Sequence, residues 1–96
     1  MLNSKQRAFL RSKAASLDTI FQVGKGGITE EMCLQISNAL EARELIKARV
    51  LENSGYAAKD ASAEIAEKID ADVVACVGSK FVLYKRSEKK PKIELP

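Results

Sequence analysis

The sequence predicts a single α/β domain with the element order α-β-α-β-α-β-β: a small four-stranded mixed sheet packed with three helices. Three observations lead there. Segments with apolar residues at helical spacing alternate with short β-branched runs. The helical segments fall between successive strands, which calls for right-handed parallel crossovers. The last two apolar runs are separated only by Gly78-Ser79-Lys80, a turn short enough to close an antiparallel hairpin.

Each element has its own signal. Residues 3–16 read as a helix, with Asn3 or Ser4 able to cap it and Leu10, Ala14 and Leu17 forming an apolar stripe that Phe9 widens. Asp18 marks a turn, and 19–23 is rich in β-branched and aromatic residues, as strands are. After a glycine-rich stretch, Thr29 is a good N-cap, and Glu30 and Glu31 suit the first turn of a second helix. Met32, Ile36 and Leu40 form its stripe, and it ends near Ala42. Residues 45–51 alternate: Ile46, Ala48 and Val50 point to the core, Lys47 and Arg49 the other way. Asn53-Ser54-Gly55 is a turn. Residues 57–70 form a third helix through Ala58, Ala61, Ile65 and Ile69. Residues 73–77 are continuously apolar, as in a strand covered on both faces, and 81–85 complete the hairpin. Residues 1–86 are thus the domain. Residues 87–96 are a basic tail, extended or mobile, whose apolar residues can dock on the body.

Composition narrows the class. The 96 residues fit one domain, and 46% hydrophobic content supports a modest core rather than disorder. No apolar stretch approaches the roughly 20 residues of a membrane span, and no apolar segment follows the early basic residues as in a signal peptide. The expected location is the cytoplasm. Cys33 and Cys76 lack metal-pair spacing and there is no histidine, which argues against a zinc site. Both cysteines read as small core hydrophobes. Without histidine, and with acids on exposed helix faces, no catalytic constellation emerges and neither cofactor nor metal is expected.

Charge is segregated. Residues 1–13 carry Lys5, Arg7, Arg11 and Lys13 for a net +4, and 73–96 also carry +4. The windows 29–44 and 57–72 each carry −3. If the chain ends meet, one side of the domain is basic, a footprint for a polyanion.

The stretch with most chemical content is Gly24-Lys25-Gly26-Gly27, a G-x-x-G pattern between strand and helix. Such a turn lets backbone N–H groups approach an anion, and Lys25 adds charge at its tip. Glu30 and Glu31 oppose a strong anion site at the same helix start, and a structural turn needing positive φ explains the glycines equally well. The pattern is neither a P-loop nor a dinucleotide fingerprint. G-x-x-G loops do clamp RNA backbone in KH domains.

The blocks Lys5-Gln6-Arg7 with Phe9-Leu10, Gln22 to Thr29, Glu44-Leu45-Ile46-Lys47, and Val77 to Lys85 resemble, in order and spacing, the CRM domain of chloroplast RNA splicing and ribosome maturation. They are most like its single-domain bacterial YhbY members, as is the ending Lys92-Ile93-Glu94-Leu95-Pro96. The resemblance implies a fold similar to the C-terminal domain of the third translation initiation factor. It also implies binding of structured RNA, and association with precursors of the large ribosomal subunit. The expected RNA contacts are Gly24, Lys25, Gly26, Gly27, Lys47, Arg49, Lys5, Arg7, Arg11, Lys80, Lys85 and Arg86. Lys85 stands where the family often has arginine, and lysine lacks the planar fork that grips phosphate at two points. The expected partner is RNA, with no membrane and no small-molecule substrate. Other readings are a module for an acidic protein partner, or a binder of small phosphate ligands.

Overall fold

Asn3 starts the first helix. Its side chain accepts the Gln6 N–H at 2.8 Å, and Gln6 Oε1 accepts the Asn3 N–H at 3.2 Å, so each residue satisfies a free donor of the other. The computed structural model describes residues 2–96; Met1, the first residue of the expected domain, lies outside them. The elements are α1 (Ser4–Ala14), β1 (Thr19–Val23), α2 (Glu30–Arg43), β2 (Leu45–Val50), α3 (Ala58–Ile69), β3 (Asp72–Val77) and β4 (Lys80–Tyr84), with a 3-10 turn at Glu52–Ser54. Thr29 caps α2, its hydroxyl accepting the Met32 N–H at 3.1 Å.

The sheet order is β1-β2-β4-β3. β1 and β2 are parallel, joined by α2 as expected. β4 is antiparallel to both its neighbours. β2 and β3 therefore run the same way without touching, because the hairpin arm β4 inserts between them. This refines two expectations. The second crossover spans a strand instead of joining neighbours. And β3 is covered on both faces only over its first half: Val73 packs against the α2–α3 core and Val74 lies in the α1 core, but this is an edge strand whose Val77 is 72% exposed. The central, covered strand is β4, with Phe81, Val82, Leu83 and Tyr84 all buried. Both positions yield apolar runs, so local sequence does not distinguish them.

The sheet has a core on each face. On one, Ile36 and Leu40 of α2 and Ala61 and Ile65 of α3 pack on Val23, Ile46, Ala48, Phe81 and Leu83. On the other, Leu2, Leu10 and Ala14 pack on Leu45, Val74, Val82 and Tyr84. Each fully buried Leu, Ile or Phe contributes about 1.5–3 kcal/mol of transfer free energy. Leu45 thus belongs to a second core, on the face that also carries Lys47 and Arg49. Phe9 stays half out of the α1 stripe, with the Lys13 ammonium 5.5 Å from its ring centroid. Cys33 is buried as expected and its thiol is pushed up by that burial; Cys76 is exposed on β3, which corrects its core reading.

The tail has no regular secondary structure but is anchored. Ile93 and Leu95 pack into the α1 core, and Gln6 Nε2 donates to the Pro96 carbonyl at 3.3 Å. The two chain ends meet. The acidic helices α2 and α3 lie on one face of the sheet, and the basic α1 with the tail lies on the other.

Candidate nucleic-acid interface

The glycine loop is a closed turn. Gly27 N–H donates to the Gly24 carbonyl at 2.9 Å, which leaves Lys25 and Gly26 at the tip, both exposed. Gly27 has φ +73, the left-handed region that disfavours other residues. The positive-φ requirement inferred from sequence thus falls on Gly27 alone within this loop. The loop is held from behind: Gly24 lies over Leu51, and Gly27 over the ring of Tyr56. Tyr56 itself donates to Glu64 at 3.3 Å.

Backbone bonds gather three segments at this end of the sheet. Leu51 N–H donates to the Val23 carbonyl at 2.9 Å, and Val50 N–H to the Ser79 carbonyl at 2.8 Å. The glycine loop, the end of β2 and the β3–β4 turn are thereby neighbours.

The α1 side of the sheet carries the cations. Arg49 lies between Ala48 and Val50, which both face the other core, so its side chain emerges here. In register it sits between Gln22 on β1 and Lys80 on β4. Two cations are therefore directly opposite on adjacent strands, an unfavourable pairing. Among the described residues, Arg49 Nε is buried without a hydrogen-bond partner. Lys47 lies farther down β2, where its ammonium reaches the Ala14 carbonyl at 3.5 Å, the outer limit of a hydrogen bond. Arg11 of α1 faces the same ground: with Lys47 and Lys80 it borders a cleft of about 390 Å³.

The remaining expected contacts lie elsewhere. Arg7 Nε donates to the Val73 carbonyl at 3.4 Å, at the opposite end of β3 from the hairpin turn. Lys5 is exposed on the same first turns of α1. Lys85 and Arg86 follow β4 at its far end from Lys80. The Lys85 ammonium donates to the Ile69 carbonyl at 2.9 Å, capping the C-terminus of α3. So Arg49 and Lys80 lie at the glycine-loop end of the sheet, Arg11, Lys47 and Lys80 border one cleft, and Lys5, Arg7, Lys85 and Arg86 lie apart from both groups. Two neutral members of the face, Ile20 and Gln22, escaped the sequence reading. The alternation Ile20-Phe21-Gln22-Val23 was the signal: Phe21 and Val23 pack on the α2 side, which turns Ile20 and Gln22 outward.

Fold and site together define a small α/β domain with a cation-bearing sheet face beside a glycine turn. The chain belongs to the CRS1 / YhbY (CRM) domain family, which it matches over residues 2–85. It is 48% identical to the "Probable RNA-binding protein YqeI" of Bacillus subtilis, over the full length of both chains. It is 35% identical to an "RNA-binding protein" of Haemophilus influenzae, over 99% of this chain and 95% of the other. The solution structure of protein SAV1595 from Staphylococcus aureus superimposes with a TM-score of 0.74, at 45% identity and complete coverage of both chains.

Proposed function

We propose that this chain is a non-enzymatic RNA-binding protein of the cytoplasm, acting on structured ribosomal RNA during assembly of the large subunit. The observation that carries the reading is the juxtaposition of Arg49 and Lys80 across β2 and β4, with Lys47 and Arg11 beside them. A fold loses stability by placing like charges opposite each other, and a polyanion supplies the missing counter-charge. The names of the relatives support RNA as that polyanion. The large-subunit role rests on the resemblance to the YhbY members.

Phosphate contacts by Lys25 and the sheet cations supply most of the affinity, and RNA shape supplies the selectivity. Crosslinking in cells, followed by sequencing of the attached RNA, tests the assignment. Enrichment of large-subunit precursor RNA is expected. Recovery of protein complexes that survive nuclease, without enriched RNA, would favour an acidic protein partner instead.

A further inference from the structure

The cleft between α1 and the sheet has two chemistries. Ala14, Ala75 and Val82 give it an apolar floor, and Arg11, Lys47 and Lys80 stand at its margins; among the described residues no acidic side chain lines it. We infer that this cleft receives one unpaired nucleotide of the bound RNA, with the base on the alanine–valine floor and its flanking phosphates against the cations. This rests on the RNA-binding reading above and adds to it a site for a single residue of the RNA.

Size is the first argument. At about 390 Å³ the cleft falls in the range of pockets that enclose a small ligand, roughly 300–1,000 Å³. Phosphates of a regular duplex reach exposed lysines without needing such a hollow. Complementarity is the second. The floor offers nothing to a phosphate, and the margins offer nothing to an apolar group. A nucleotide joins a flat, weakly polar base to an anionic backbone and uses both. Free donors are the third. The Lys80 ammonium stands at the margin with the like-charged Arg49 opposite it in register, so an anion there is met by both charges. The Lys47 ammonium spends only one long bond, on the Ala14 carbonyl. Small residues keep the hollow open: a leucine in place of Ala75 on β3, or of Ala15 at the end of α1, adds bulk to its lining and narrows it without changing a charge. Bases splayed from loops and bulges are the usual targets of such hollows.

The test compares two RNA hairpins of one stem sequence, one fully paired and one with a single bulged nucleotide replaced by 2-aminopurine. Binding is read by anisotropy of an end label and by 2-aminopurine fluorescence. The expected result is tighter binding of the bulged hairpin by about tenfold, with a change in 2-aminopurine emission. Ala75→Leu and, independently, Ala15→Leu should abolish that preference while leaving affinity for the paired hairpin and the melting temperature close to wild type. Equal affinity of wild type for both hairpins overturns the inference and leaves RNA binding intact. So does a preference that survives in whichever leucine variant folds. Displacement of the bulged hairpin by micromolar nucleoside monophosphate overturns it in favour of a small-ligand site. No binding to either hairpin overturns the RNA reading itself.

Discussion

The wholly buried carboxylate of Glu44 accepts the backbone N–H of Ser87 at 2.8 Å. Its other oxygen accepts the N–H groups of Lys92 and of Ile93, the latter at 2.7 Å. Neighbouring Glu41 takes the Ser87 hydroxyl and the N–H groups of Glu88 and Lys89. Two glutamates at the end of α2 thus fold residues 87–93 onto the domain and bring Ile93 and Leu95 to the α1 core. Glu44 sits at φ +65, where α2 stops and β2 begins, so its side chain turns inward at a point fixed by the fold.

Glu44→Gln is expected to destabilise the protein by about 2 kcal/mol. An amide has one acceptor oxygen for donors that now share two, and it brings donors of its own among them. Chemical denaturation measures the loss. Limited proteolysis should show cleavage near residues 87–92 in the variant before the body is cut.

Stability should also depend on acid. Burial raises the Glu44 pKa, but backbone hydrogen bonds from Ser87, Lys92 and Ile93 outweigh it, and the net shift is downward. Glu41 is lowered chiefly by the Ser87 hydroxyl and the Glu88 N–H. A carboxyl depressed in the native state stabilises fully above its unfolded pKa and loses that contribution as pH falls through the native value. Thermal melts should therefore be flat near neutrality and fall below the ordinary glutamate range. Glu44→Gln should flatten the fall.

The loop glycines should separate by conformation. Gly27→Ala places a Cβ at φ +73 and should cost about 1–2 kcal/mol. Gly26→Ala meets no atom within 4 Å and has no positive φ, so its melting temperature should stay near wild type. Paired denaturation curves decide. Equal losses would contradict the turn geometry.

Much of this architecture was legible in the chain, for local reasons. Thr29 capped the helix it was expected to cap, and the alternation of Ile46, Ala48 and Val50 against Lys47 and Arg49 gave the faces of β2. What escaped depends on distant partners. The insertion of β4 between β2 and β3 leaves no trace in an apolar run, so Val73 to Val77 looked central. Glu44 entered the sequence reading only as one acid of the 29–44 window and as the head of the Glu44-Leu45-Ile46-Lys47 block, because its partners are backbone N–H groups of the tail, which carry no residue signature. Of the candidate contacts, Lys47, Arg49 and Lys80 were legible as cations, but only the register made Arg49 and Lys80 neighbours. Lys85 looked equivalent to them and is occupied by the end of α3.

That pairing gives a prediction of opposite signs. Lys80→Gln removes one of two like charges across a strand pair and should stabilise the fold by about 0.2–1 kcal/mol. If Lys80 meets phosphate as proposed, the same change should weaken RNA binding. A variant that melts higher and binds worse marks Lys80 as kept for a partner rather than for the fold.

The most direct test is equilibrium binding of a structured RNA as a function of salt. If Lys25, Arg11, Lys47, Arg49 and Lys80 all meet phosphate, the slope of log affinity against log salt should be about −3.5 to −4.5, a loss of roughly 100- to 500-fold between about 50 and about 200 mM. Arg49→Glu combined with Lys80→Glu should lower affinity at least tenfold and flatten the slope. Charge reversal of Lys89 and Lys90 on the tail should do neither. A flat salt dependence, or equal losses from the sheet and tail variants, would contradict the assignment of this face.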